Sequence, residues 1–269
     1  MKKTLFAMVV AAMAFAVNAN AQFSVGAGYA NETIISKIAS VLDEDYKGYA
    51  WEKNRLQLNG FYVEAAYDWK FASVGPGDFV LQPGVRYYFL TENPNLAKIN
   101  LKYKDNKQKA NQKECFSNHL LDIPVNVKYS YDFVPGTLKA YVFAGPTFSF
   151  GLAAINLTKK MAYLKTDEET INYTDIVRVN YYTGKYYTKE YQSEEDDYTI
   201  EKGKDDENKL YDMFDLKLAL GLGVTLSEKV DVKFGYNIGL LNRSHTKNTE
   251  DYKYSMHSNI MYFGVTYKF

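Results

Sequence analysis

The sequence predicts an all-β fold, an eight-stranded antiparallel transmembrane β-barrel of the up-and-down type with long extracellular loops, and three observations predict it. Apolar residues recur with a period of two through eight segments, the connections alternate between short and long, and no apolar run beyond residue 22 approaches the roughly 18 residues that a membrane helix needs. Composition agrees. The 269 residues hold 25 Tyr and 16 Phe beside a mean hydropathy of -0.37, which suits strands with one apolar and one polar face and is poor for a helix bundle. Basic and acidic residues balance at 32 each, and the single cysteine can form no intrachain disulfide. Neither a basic nucleic-acid module nor a disulfide-stapled mini-protein is therefore expected.

Residues 1–21 read as a cleaved signal peptide. Lys2 and Lys3 form a positive start, Leu5 to Val17 an apolar core, and Ala19-Asn20-Ala21 a small-residue cleavage site before Gln22. No cysteine follows that site, so no lipoprotein anchor is expected there; losing Lys2 and Lys3 takes the net charge from 0 to -2. Residues 22–269 read as one barrel domain in the outer membrane of a Gram-negative bacterium.

The strands follow in order. Phe23 to Tyr29 turns Phe23, Val25, Ala27 and Tyr29 outward; about 57–71 turns out Phe61, Val63, Ala65, Tyr67, Trp69 and Phe71; and 79–90 turns out Phe79, Leu81, Val85, Tyr87 and Phe89. Residues 119–133 alternate from Leu121 to Phe133, and 138–152 from Leu138 to Leu152. From Phe214 every even position through Leu226 is Phe, Leu or Val, while the odd ones are Asp215, Lys217, Ala219, Gly221, Gly223 and Thr225. That is a period of two and not 3.6. Val230 to Leu240 repeats it, and the last run sets Met261, Phe263, Val265, Tyr267 and Phe269 outward. A strand of about 11 residues tilted near 45° covers roughly 25 Å, the height of the apolar band of an outer-membrane barrel.

Segments 72–78, 134–137 and 227–229 are short, whereas loops near 30–56, 91–118, 153–213 and 241–256 are long. Short turns on one side and long loops on the other are the habit of such barrels. The aromatics form two belts. Trp69, Phe71, Phe79, Tyr131, Phe133, Tyr267 and Phe269 lie near the short turns, and Tyr29, Phe61, Phe89, Phe148, Phe150 and Phe214 near the long loops. A soluble β-sandwich also alternates but has no such rims.

Three stretches carry a family resemblance: His119-Leu-Leu-Asp-Ile-Pro-Val-Asn-Val-Lys-Tyr129, Tyr141-Val-Phe-Ala-Gly-Pro-Thr147 and Phe263-Gly-Val-Thr-Tyr-Lys-Phe269. With them the chain resembles the small outer-membrane barrels called PorT-like, related in build to the OmpA and OmpX barrels. The resemblance implies insertion by the barrel assembly machinery through a C-terminal aromatic signal, here Phe263, Val265, Tyr267 and Phe269. Its members range from secretion-associated barrels to proteins of no assigned role, so it implies no activity.

Inward positions carry Glu64, Asp68, Asp122, Asp132, Asp215 and Asp231 against Lys70, Arg86, Lys128, Lys139, Lys217, Lys233 and Lys268. A near-neutral mixture in a lumen barely wide enough for its own side chains reads as paired charges. With the first short turn centred near residue 75, Glu64 faces Arg86 in mid-membrane. A plugging salt bridge is expected there rather than a selectivity or proton-relay site, since an unpaired charge would be costly. Inward glycines, among them Gly221, Gly223 and Gly235, are expected to make room for the long charged chains. Pro83, Pro124 and Pro146 fall inside strands, where each removes a ladder hydrogen bond without breaking the alternation.

No catalytic set is expected. His119, His245 and His257 fall at strand ends facing the long loops, with Ser117, Ser244, Ser258 and Asp251 near them in sequence, but polar residues at a rim explain them more simply. No His or Cys spacing suits zinc, Cys115 reads as a bystander, and neither metal nor cofactor is expected. The loops hold what remains. Residues 95–115 carry six lysines against Asp105 and Glu114, and 156–210 carry nine bases against thirteen acids, including Glu194 to Asp197 and Asp205 to Glu207. Ile176 to Tyr191 alternates around Thr183-Gly184 as a hairpin standing above the membrane, with Tyr181, Tyr182, Tyr186, Tyr187 and Tyr191 as a contact surface. The expectation is a structural or surface-interaction protein, monomeric, set among outer-membrane lipids and lipopolysaccharide, its loops meeting a surface partner or polysaccharide. The other classes are a small pore or secretion-associated barrel and a barrel enzyme acting on lipid A or peptides.

Overall fold

An alternating sequence buries half its side chains only by lying extended in a sheet, and almost the whole chain does so. The structure, a computed structural model, describes residues 21–41, 49–92, 95–103, 106–165, 170–192, 197–246 and 252–269. Residues 1–20, with nearly all of the expected signal peptide, lie outside the described residues, as do Asp105, Glu194 to Asp196 and Asp251. The strands are β1 (Ala21–Val41), β2 (Tyr49–Val74), β3 (Gly77–Thr91), β4 (Asn95–Tyr103), β5 (Asn106–Val134), β6 (Leu138–Lys165), β7 (Thr170–Asn180), β8 (Lys185–Gln192), β9 (Asp197–Lys204), β10 (Phe214–Leu226), β11 (Val230–Gly239) and β12 (Tyr252–Lys268).

These strands correct the expected fold class. The expectation was an eight-stranded up-and-down barrel with four long loops; the finding, among the described residues, is one antiparallel sheet of twelve strands in the order β4-β5-β3-β2-β1-β12-β11-β10-β6-β7-β8-β9, with β5 pairing in addition to β6. Much of the chain expected as loop, near 30–56, 91–118 and 153–213, is strand. The reason is physical. Beyond the apolar band the alternation ends, but the backbone amides still need partners. A ladder already running between two extended neighbours supplies them, so β1 and β2 stay paired from Ala21↔Trp69 as far as Val41↔Tyr49.

Register is kept by tight turns. Gly75 and Gly136 take φ of 61° and 74°, and Ser227 and Glu228 take positive φ side by side without being glycine. The ladder loses pairs at the prolines yet does not slip: β3–β5 passes from Pro83↔Val125 to Arg86↔Asp122, and β5–β6 from Pro124↔Thr147 to Val127↔Ala144, each in constant register. Register shifts stand elsewhere, at Lys70/Ala72, His119/Leu120 and Asp132/Val134.

The two faces differ as the alternation requires. On β10, Leu222 is 57% exposed while Asp215 and Lys217 are fully buried. Trp69, Phe71 and Phe133 stand out near the short turns, and Tyr29, Phe61 and Phe214 towards the other end. The inner face holds more rings than charges alone would need. Tyr62, Tyr88, Tyr141, Phe143 and Tyr262 are buried there with Leu58, Leu90, Leu120 and Ile260. The inward glycines serve these rings rather than the charged chains: a methyl group on Gly221 would overlap Phe143, one on Gly223 would overlap Tyr141, and one on Gly235 would overlap Tyr262.

Candidate functional site

Three levels of polar side chains fill the inner face. At the short-turn end, Lys128 Nζ lies 3.0 Å from Asp68 Oδ2 and 3.6 Å from Asp231 Oδ2, and Lys268 Nζ lies 3.4 Å and 3.0 Å from the same two carboxylates. Gln82 donates to Asp68 and Thr225 to Asp231. Two cations thus meet two anions, with no charge left over. Such a neutral, fully bonded set is what burial tolerates.

The middle level is built on Glu64. It stands in one row with Arg86 across the β2–β3 ladder, and Arg86 grips Oε2 with Nε at 2.9 Å and Nη2 at 2.8 Å. Lys233, from β11, bonds the other oxygen together with Thr266 Oγ1. The guanidinium also lies 4.0 Å from the ring centre of Tyr262 and donates to Tyr88 at 3.0 Å. Aromatic faces take up part of the second positive charge. Above it, Lys217 approaches Asp122 at 3.8 Å, and Asn237 donates to Asp122 at 3.4 Å. Asp122 Oδ1, Lys217 Nζ, Asn126 Oδ1, Ser149 Oγ and Asp215 Oδ2 have no hydrogen-bond partner among the described residues.

The mouth at the opposite end is sealed. Glu32 accepts from Asn118 at 2.7 Å and from Ser258 at 2.5 Å; Tyr182 donates to Asn118 at 2.9 Å and receives Arg243. Arg243 and Tyr182 are only 2% and 3% exposed. Beside them Phe116 stacks on Tyr181 with centroids 6.0 Å apart, and Tyr211 meets the Tyr181 ring edge-on at 5.6 Å. Glu32, Asn118 and Arg243 were not singled out from sequence, although Glu32 continues the inward even phase of β1 and could have been found by extending it; Ser258 was noted only as a rim serine near His257.

The tyrosine hairpin is inverted relative to expectation. β7 and β8 pair as Ile176↔Lys189 to Asn180↔Lys185, but their turn, 181–184, lies at the mouth and not above it. Tyr181 and Tyr182 therefore point into the seal. Tyr186 donates to Glu201 at 2.6 Å, which raises its hydroxyl pKa; Tyr187 is half-buried, and Tyr191 packs on Tyr198 with centroids 5.5 Å apart. Beyond β9, hydrogen bonds from Lys209 and Lys204 hold the Asp206 carboxyl below the usual carboxylate range.

At the last strand, Phe263, Val265, Tyr267 and Phe269 all stand outward, at 45–73% exposure, and the ring of Phe269 stacks on Phe23. The three histidines are not brought together. His119 shares a hydrogen bond with Tyr87 on β3, His257 sits on β12, and His245 contacts Asp212 at 2.8 Å while its neighbour Ser244 turns its hydroxyl to Thr246. Among the described residues no group of three His, Cys, Asp or Glu side chains could hold a metal ion.

The family described as outer membrane protein beta-barrel domain matches residues 4–269. That match is to the broad family and not to its PorT-like or OmpX-type members. No curated protein matches. Among solved structures, Neisserial surface protein A is 14% identical over 92% of this chain and 97% of its own, with a TM-score of 0.30. Ail, the attachment invasion locus protein of Yersinia pestis, is 10% identical over 93% and 99%, with a TM-score of 0.27. The outer membrane protease OmpT from Escherichia coli is 10% identical over 92% and 97%, again with a TM-score of 0.27. Likeness of that order assigns no activity.

Proposed function

The chain belongs to the outer membrane protein β-barrel family, and from that premise we propose that it is a monomeric surface-interaction protein whose working part is the sheet beyond the membrane, not its interior. As an outer-membrane protein of a Gram-negative cell it is set among membrane lipids by the assembly machinery. Within the family, the stretches ending at Tyr129, Thr147 and Phe269 favour a PorT-like member, with the four outward residues from Phe263 to Phe269 as its assembly signal. The observation that carries the functional reading is the sealed mouth: Glu32, Leu58, Leu90, Leu120, Tyr182, Arg243 and Ile260 are each at most 3% exposed, so what remains open to a partner lies outside. No enzymatic role is proposed: among the described residues Ser244, beside the His245–Asp212 pair, turns its hydroxyl to Thr246 instead.

A second reading, a narrow conduit, is favoured by the unpartnered buried atoms of Asp122, Asn126, Ser149, Asp215 and Lys217, which water would satisfy. Two measurements separate them. In planar bilayers the protein should carry no steady ionic current, and protease added to whole cells should cut between 185 and 204 while the membrane strands stay protected. A stable open channel would move the assignment to the conduit. Cutting only after the outer membrane is opened would place the extended sheet on the wrong side for any surface role.

A further inference from the structure

We propose that the outward face of the extended sheet, on β5 to β9, is a docking surface for the phosphate-bearing headgroup of an outer-leaflet glycolipid, lipopolysaccharide. The proposal rests on the reading that this end faces the outside. Directly paired residues share a face, so the registers of β5 to β9 define it row by row. Nearest the apolar band the outward row holds Lys185 and Lys204; the next holds Arg178 and Lys202, and the third Lys113, Lys159 and Lys189. Rows two residues apart rise about 7 Å each, so three span roughly 14 Å, a headgroup's depth.

Across these three rows the face carries seven cations and no carboxylate. In the part of these strands beyond the apolar band, the opposite face carries Glu114, Asp175, Glu190, Asp197 and Glu201 against Lys160 alone. A sheet that merely needed to be soluble would mix the two signs. Instead like charges stand directly opposite one another, Lys185 with Lys204 and Lys113 with Lys159, an arrangement that costs stability unless an outside anion lies between them. Lys204 has one exposed partner, Asp206 at 3.4 Å, and Lys189 leans on the ring of Tyr198 at 4.0 Å. Arg178, Lys185 and Lys202 are exposed and have no carboxylate partner within the described residues.

The same face is apolar between its cations. A groove there is lined by Cys115, Ile155, Leu157, Ile176, Arg178 and Tyr187, and Leu157 is 38% exposed to the outside. It continues upward from Phe150, Leu152 and Phe214, which lie on the lipid-facing side. An acyl chain beside a phosphate fits such a groove; a sulfated or acidic sugar chain has no use for its apolar wall. A guanidinium takes two phosphate oxygens at once, and the lysines add charge around it.

The test uses the full-length protein in detergent micelles, with bisphosphorylated lipid A as the probe and native mass spectrometry as the readout. The protein should retain lipid A, and the variant Arg178→Gln/Lys185→Gln/Lys202→Gln/Lys204→Gln should retain at least about tenfold less. Lys160→Gln, on the opposite face, should retain as much as the parent, and dephosphorylated lipid A should bind the parent no better than it binds the variant. The heat-modifiable gel band reports folding; if the fourfold variant loses it, Lys185→Gln/Lys204→Gln, which relieves a like-charge pair, carries the test alone. Equal retention by parent and variant overturns the proposal. So does loss of dextran sulfate binding with lipid A retention unchanged, which would make the face a polysaccharide site. Conductance or protease access of the wrong kind would defeat the functional reading instead, and is measured separately.

Discussion

The inner face of the strands and the outward face of their extension are made by the same alternation, yet they treat charge in opposite ways. Inside, Lys128 and Lys268 share Asp68 and Asp231, and Arg86 and Lys233 share Glu64. Outside, on β5 to β9, cations stand in rows with no carboxylate among them. The difference teaches where the counter-charge comes from. A buried ion must find it within the chain, because desolvation is otherwise uncompensated. An exposed ion can leave it to water, salt or a ligand, so an uncompensated row is tolerated and becomes available for binding.

The comparison breaks most sharply at Glu64. Glu64→Gln would leave Arg86 and Lys233 buried together with no anion between them, a loss of about 3–5 kcal/mol by the usual cost of breaking a buried network. Urea unfolding of the refolded protein should show it. Lys233→Met alone should cost less, since Arg86 still holds Glu64, and adding it to Glu64→Gln should recover part of the loss. Strict additivity of the two changes would mean that the groups do not act as a unit.

A smaller effect is expected where the inner face is shaped by rings. Gly235→Ala would drive a methyl group into Tyr262, whose ring backs Arg86, and should cost about 1–3 kcal/mol through overpacking. Pairing it with Tyr262→Leu separates the causes: a shorter side chain removes the ring that the new methyl group meets, so Gly235→Ala costing as much in the Tyr262→Leu background as in the parent would locate the strain elsewhere.

The smallest effect has the opposite sign. Lys185→Glu sets a carboxylate directly across from Lys204 and should raise the unfolding midpoint slightly at low salt, with the gain fading as salt approaches about 1 M. A fall in the midpoint at low salt would show that the outward lysines do not repel one another, and the contrast between the faces would lose its energetic basis.

Much of the architecture is legible because alternation and short turns are local properties. β10 begins and ends at Phe214 and Leu226, where the sequence pattern begins and ends. Glu64 stands beside Arg86 because a tight turn joins adjacent strands, and counting back from its centre suffices. Strand ends are legible only where burial stops with the strand. β1, β5 and β6 run well past their apolar alternation, and there polar residues such as Asn31, Lys113 and Thr158 lie in ladders that no hydrophobic pattern announces.

What the amino-acid order determined by itself, then, is which residues share a face: a period of two assigns every side chain to one side of a strand before any partner is known. Tertiary structure alone decided which distant strands bring those faces together. Lys233 reaches Glu64 across 169 positions, and Ser258 reaches Glu32 across 226. The turn carrying Tyr182 drops into the mouth because Asn118 and Arg243, from other strands and connections, satisfy its hydroxyl there. Such contacts depend on how twelve strands curve past one another, and a buried polar group settles wherever its partners converge, which no local stretch of sequence encodes.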